Sequence, residues 1–185
     1  MQHQLSPILQ NINLAAPKCG ATKLITIDGP AGSGKTTLAA QIARSLEITP
    51  TVIHMDDLYN GWDRALTGDL TSLLKHQLIP ALTSGREFSL PQFDWLINKY
   101  DEPKNYSPSP ITILEGVGAG QRIMRPYTSF SIWIEVPVEL GIERVLERDG
   151  FDIEAQIKGF KKAELRHFTE EQTKAAADHQ LYGAP

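Results

Sequence analysis

The chain has 185 residues, 41% of them hydrophobic, with a formal net charge of −4 and a pI near 5.7. That length fits one domain with a substantial core, the acidic balance argues against a nucleic-acid footprint, and no run of about 18 apolar residues is present to span a membrane. A single cysteine, Cys19, can build neither an intrachain disulfide nor a cysteine metal site, and the N-terminus lacks the basic and apolar regions of a signal peptide, so the expected compartment is the cytoplasm.

Residues 1–21 read as a leader ahead of a domain over 22–185. Leu5, Ile8, Leu9 and Ile12 hint at a short amphipathic turn, punctuated by Pro7 and Pro17, that packs on the domain or meets a partner. Leu24-Ile25-Thr26-Ile27 then suits a buried strand. It leads into Gly29-Pro30-Ala31-Gly32-Ser33-Gly34-Lys35-Thr36, the GxxxxGK[ST] pattern of a phosphate-cradling P-loop. Beyond it, Leu38, Ala39, Ile42, Ala43 and Leu46 mark one face of a helix. Strand, glycine loop and helix in that order point to a nucleoside triphosphate held by Gly29, Ala31, Gly32, Ser33, Gly34, Lys35, Thr36 and Thr37. Lys35 would reach the β- and γ-phosphates, and the Thr36 hydroxyl would bind Mg²⁺.

Thr51–Met55 reads as a second strand, closing a βαβ unit and implying a parallel sheet. Asp56 and Asp57 follow it, where carboxylates face a phosphate delivered by the P-loop or simply form a solvated turn. His54, inside the strand, is expected to be packed or hydrogen-bonded. Asp69 is placed to cap a helix with Leu70, Leu73, Leu74, Leu78 and Leu82 on one face, kinked or shortened by Pro80. Residues 85–95 suit a substrate wall or an exposed hairpin, and 101–110, with three prolines, a mobile connection. Ile111–Leu114 is another buried strand, ended by Glu115-Gly116, an acid suited to Mg²⁺ or to capping the next helix. After a strand at Phe130–Val136, Pro137 opens a helix with Val138, Ile142, Val145 and Leu146 inward. Arg144 and Arg148 share another face, to clamp phosphate oxygens or to pair with Glu143 and Glu147. Lys158, Lys161, Lys162 and Arg166 read as a solvated face. Thr169–Gln172 matches a capping box, and Leu181-Tyr182 the rudiment of an edge strand; His167 and His179 show no partner pattern.

Over residues 22–150 these motifs occur in the order seen in uridine kinase-like P-loop kinases, a group that resembles phosphoribulokinase and pantothenate kinase more distantly. The resemblance implies a three-layer α/β fold with a mainly parallel sheet, ATP and Mg²⁺, and a small-molecule acceptor phosphorylated on a hydroxyl, plausibly nucleoside-like. Asp56 resembles the acid that acts on the acceptor hydroxyl, and with Thr36 and Glu115 it lies around the metal. Asp57 and Tyr59 fall at the acceptor pocket, and Phe93-Asp94-Trp95 resembles the hairpin segment that holds a nucleoside. Arg144 and Arg148 resemble arginines of a lid near 144–160. Asp57-Leu58 replaces the group's usual Ser-Phe, and Leu96-Ile97-Asn98-Lys99 stands where a His-Ser-Arg element is usual.

Two rivals share the loop. A cytidylate kinase-like monophosphate kinase would need cations for the acceptor's own phosphate, with Arg64, Arg86, Arg122 and Arg125 as candidates. A GTP-binding switch would read guanine through Asn98-Lys99-Tyr100-Asp101, which spells NKxD. It lacks the accompanying DxxG segment, since Glu115-Gly116-Val117-Gly118 occupies that place.

Overall fold

The structure, a computed structural model, describes residues 2–182; Met1 and the last three residues of the expected domain lie outside the described residues. Five strands form one parallel sheet: β1 (Lys23–Asp28), β2 (Thr51–His54), β5 (Ile111–Glu115), β6 (Thr128–Glu135) and β7 (His179–Tyr182), in the order β2-β5-β1-β6-β7. Strands β3 (Phe88–Asp94) and β4 (Lys99–Tyr106) pair antiparallel as a separate hairpin. β1 is central, so the loop that follows it is flanked by the tips of β5 and β6.

The sheet's two faces are read from the alternation along β1. Ile25 and Ile27 point into one core, with Ile113, Phe130, Ile132 and Ile134 from neighbouring strands. Helix α2 (Lys35–Ser45) covers it with Leu38, Ala39 and Ile42. Helix α1 (Gln2–Leu14) joins them: Ile8 and Ile12, one turn apart, are fully buried there. Lys23 caps α1 from β1, its ammonium donating to the carbonyls of Ile12 and Asn13 at 3.2 and 2.7 Å. The expected short turn is thus a 13-residue helix that packs on the domain. On the other face Leu24, Ile53 and Leu114 meet α3 (Gly68–Leu73), α4 (Ile79–Ser84), α5 (Val138–Asp149) and α6 (Glu154–Glu171).

Local sequence explains most departures from expectation. Pro80 sits near the start of α4, and a π-helical stretch, Leu74–Leu78, precedes it. The wider turn accommodates a ring that would clash with the carbonyl four residues back. Thr67, not Asp69, occupies the cap of α3, and Asp69 pairs with Arg64 instead. Residues 101–106, expected to be mobile, belong to β4. Phe88 stacks on Tyr106 with ring centroids 5.4 Å apart, and the ladder slips between Leu90 and Gln92, where Pro91 and Pro103 lack N–H donors. Nor does a capping box operate at Thr169. Helix α6 runs through it, the Thr169 hydroxyl donates to the Leu165 carbonyl at 2.8 Å, and Gln172 ends the helix in a left-handed conformation, φ 56°. The one-turn helix α7 (Thr173–Ala176) then leads to β7, the expected edge strand. Val138 is 52% exposed, not inward.

Candidate functional site

The P-loop bridges β1 and α2, and its shape is set by backbone approaches that only glycine permits. A side chain at Gly29, φ 144°, would collide with the Ile134 carbonyl oxygen, and one at Gly32, φ 80°, with that of Gly141. Lys35 is buried beneath the loop. Its ammonium donates to the carbonyls of Gly29 and Pro30, both at 2.8 Å, with the Ser33 hydroxyl 3.5 Å away. Burial pulls its pKa down, against the opposing pull of Asp28, Asp56, Glu115 and Glu164. Thr36 and Thr37 stand exposed on the first turn of α2, where the helix N-terminus adds positive potential.

Two acids face Lys35 from strand tips. Glu115, ending β5, is buried, and its Oε1 accepts from the Thr36 hydroxyl at 2.9 Å and lies 2.5 Å from His54 Nδ1. His54 is therefore hydrogen-bonded, as expected, and the Glu115 contact raises its pKa. Asp56 lies in a single 3₁₀ turn (Met55–Asp57) after β2, and among the described residues its carboxylate accepts no hydrogen bond. The residue is exposed, yet desolvation of its carboxylate and the nearby Glu115 charge raise its pKa; Lys35 and Arg148 pull the other way. Asp57 instead pairs with Lys104 of the hairpin at 3.7 Å. Thr36, Glu115 and Asp56 carry only oxygen donors, the chemistry Mg²⁺ prefers, and could hold it with phosphate and water completing its shell.

The arginines stand on α5, beside the loop. Arg144 Nη1 lies 3.5 Å from the Gly32 carbonyl, and Arg148 forks onto Asp149 with two contacts of 2.6 Å. Among the described residues neither forms an ion pair with Glu143 or Glu147. Opposite, an aromatic wall rises from the hairpin and the segment after β2. Trp95 lies 5.0 Å from both Trp62 and Phe93, ring centroid to centroid, and its indole N–H donates to the Asp56 carbonyl at 3.1 Å. Phe93 is buried between Trp95 and Tyr100. Asp94 turns inward on its own hairpin, accepting the N–H groups of Leu96 and Ile97 at 2.8 and 3.2 Å. Tyr59 is buried, its hydroxyl donating to the Val117 carbonyl at 2.6 Å, so it supports this wall with no free polar end.

No protein-family model matches the chain. A curated uridine kinase from Staphylococcus aureus (strain JH9) is 27% identical over 143 residues, 70% of this chain and 69% of its own. A solved structure described as a possible uridine kinase from Bacillus stearothermophilus superposes with a TM-score of 0.72 at 23% identity, over 97% of this chain and 98% of that one. The chain has a P-loop kinase fold and is similar in sequence to uridine kinases. A proposed fructose transport system kinase from Silicibacter sp. TM1040 has the same TM-score, 0.72, at 21% identity, covering 96% of this chain and 98% of its own.

Several of the chain's other cations are used structurally. Arg122 and Arg125 donate to the carbonyls of Glu170 and Glu171 at the end of α6, and Arg64 pairs with Asp69. The NKxD match lies on the turn and strand of the hairpin, Asn98 having φ 53°.

Three contributors escaped sequence reasoning. Asp28, 1% exposed, accepts the N–H groups of Gly29, Gly118 and Gly120 at 2.7, 3.0 and 2.8 Å, tying the P-loop to the turn after β5. Burial raises its pKa to about 6 despite those bonds. Its signal was an acid ending an apolar strand immediately before the loop. Lys161, expected on a solvated face, and Glu164, which carried no expectation, are buried against the loop. Periodicity held no sign of that, because a charged pair three residues apart on a helix looks the same in water.

Proposed function

We propose that this phosphotransferase moves the γ-phosphoryl group of ATP to a hydroxyl of a small, nucleoside-like metabolite in the cytoplasm. The observation that carries the reading is the division of labour between two acids. Glu115 is engaged by Thr36 and His54, whereas the Asp56 carboxylate is unengaged among the described residues, exposed, and near enough to Lys35 for their charges to interact. An alcohol must lose its proton as it attacks, and a carboxylate of raised pKa within reach of that hydroxyl is suited to accept it.

The remaining residues position and neutralise. Loop amides and Lys35 hold the triphosphate, and Arg144 and Arg148 approach from α5 to offset charge on the transferring group, as part of a lid near 144–160. Thr36, Glu115 and Asp56 would hold Mg²⁺, which supplies charge neutralisation at the β- and γ-oxygens. Trp62 and Trp95 offer flat faces to a ring-bearing acceptor. The monophosphate kinase is disfavoured because three of its four candidate cations, Arg64, Arg122 and Arg125, are engaged elsewhere. An ATP-consumption screen over nucleosides, nucleotides, sugars and pantothenate-like alcohols tests the reading. Turnover with an uncharged alcohol supports it, and turnover with nucleoside monophosphates alone overturns it.

A further inference from the structure

One residue of the P-loop is gripped from outside by a buried ion pair. Glu164 Oε2 accepts the Ala31 N–H at 2.7 Å, while its Oε1 contacts Lys161 Nζ at 3.0 Å. Lys161 Nζ in turn donates to the Ala31 carbonyl at 3.0 Å. Carboxylate, ammonium and the two polar groups of one residue thus close a ring. Both side chains sit on α6, one turn apart, and Glu164 and Lys161 are 4% and 8% exposed. Gly141 of α5 makes the close approach possible: a side chain there would strike the Ala31 carbonyl oxygen at 2.6 Å and lie against Lys161 Nζ at 3.4 Å.

The ring acts on two successive peptide planes. The Ala31 N–H belongs to the same plane as the Pro30 carbonyl, and that carbonyl accepts from Lys35 at 2.8 Å. Glu164 therefore holds one end of a peptide whose other end holds Lys35. The next plane, between Ala31 and Gly32, is held at its carbonyl by Lys161. Desolvating two buried charges offsets most of their attraction, so the pair by itself is a weak source of stability. Here each is also hydrogen-bonded to the loop, so the pair fixes peptide orientation as well as helix packing. The same helix carries Phe160, 6.2 Å from Tyr59 and 5.9 Å from Trp62 between ring centroids, so the loop and the aromatic wall rest on one element.

We propose that Lys161 and Glu164 are positioning residues for nucleotide: they orient the peptide planes around Ala31, and through them Lys35, so that the loop is preorganised for phosphates. The inference rests on the P-loop reading above. Without the grip the loop must be ordered by the ligand itself, and affinity falls by that ordering cost. The test is titration of a fluorescent ATP analogue with Mg²⁺, which needs no acceptor, against wild type, E164Q, E164A, K161M and the exposed control K158A. E164A and K161M should raise Kd tenfold or more at unchanged binding stoichiometry. E164Q, whose amide oxygen can still accept the Ala31 N–H, should fall between them and wild type, and K158A should match wild type. A merely structural role would lower the binding-competent fraction and the Tm while leaving Kd in place, and that result overturns the proposal. If E164A does not fold, E164Q and K161M decide by the same criterion. A wild-type protein that binds no nucleotide would instead refute the P-loop reading, which separates the two failures.

Discussion

Asp28 makes a sharp electrostatic prediction. The carboxylate is 1% exposed and accepts three backbone N–H groups, yet burial outweighs them and holds its pKa at about 6, above the ordinary 3.8. A folded-state pKa raised above the unfolded value means the native protein binds the proton more tightly. The resulting stabilisation is fully present below the unfolded pKa and is lost as pH rises through about 6. Between about pH 4.5 and about pH 7.5 the loss amounts to about 2 kcal/mol, because each pKa unit corresponds to about 1.4 kcal/mol. Asp28→Asn removes the titration. Its amide oxygen can keep two N–H donors, but its NH₂ group faces the third, an unfavourable contact costing about 1–3 kcal/mol at every pH. Urea unfolding of both proteins at the two pH values measures the difference. The unfolding free energy of wild type minus that of D28N should fall by about 2 kcal/mol from the lower pH to the higher. A difference that is flat, or that grows with pH, would refute the reasoning.

Other outcomes follow from named contacts. Ile12→Ala, at a fully buried position of α1, should destabilise by about 2–5 kcal/mol in urea unfolding, and a loss under about 1 kcal/mol would show that α1 is not docked. Asp56→Asn should slow phosphoryl transfer by about 10²–10⁴-fold while still binding ATP·Mg²⁺, and Asp57→Asn, whose carboxylate pairs with Lys104, should slow it less; single-turnover rates decide, and equal rates for all three proteins would remove the base. Arg144→Ala and Arg148→Ala should each lower kcat more than Tm, because the partly exposed Arg148–Asp149 ion pair is worth only about 0–1 kcal/mol and Arg144 makes only a long contact with the Gly32 carbonyl; a large drop in Tm at full activity would make them structural.

How legible this was from sequence differs by layer. The parallel sheet could be read because β1, β5 and β6 are short apolar runs and the P-loop fixes the direction of the first βαβ unit. The edge strand β7 was visible only as Leu181-Tyr182, since a solvent-facing edge needs few apolar residues. The hairpin's second strand was missed because its burial is confined to Tyr106 and the three prolines of 101–110 read as a connection, although only Pro103 lies in the strand, where the register slips. In the site, residues tied to backbone pattern were readable: the loop, Lys35, Thr36, and the acids at strand tips. Those defined by long-range approach were not. Glu164 lies 133 positions from the Ala31 N–H it accepts, and helical periodicity carries no information across that span. Asp28 and His54 were present as polar residues at strand ends, a signal that marks importance without naming the partner.

Phosphoryl transfer from ATP to an alcohol under the control of Lys35 is tested most directly by incubating wild type and Lys35→Ala with γ-labelled ATP, Mg²⁺ and the acceptor found by screening. The label is then followed by mass spectrometry. Wild type should yield a labelled phosphomonoester on an acceptor hydroxyl, and a Lys35→Ala protein that remains folded by circular dichroism should yield none above background. Label found only on a nucleoside monophosphate, or equal transfer by the Lys35→Ala protein, would contradict that mechanism.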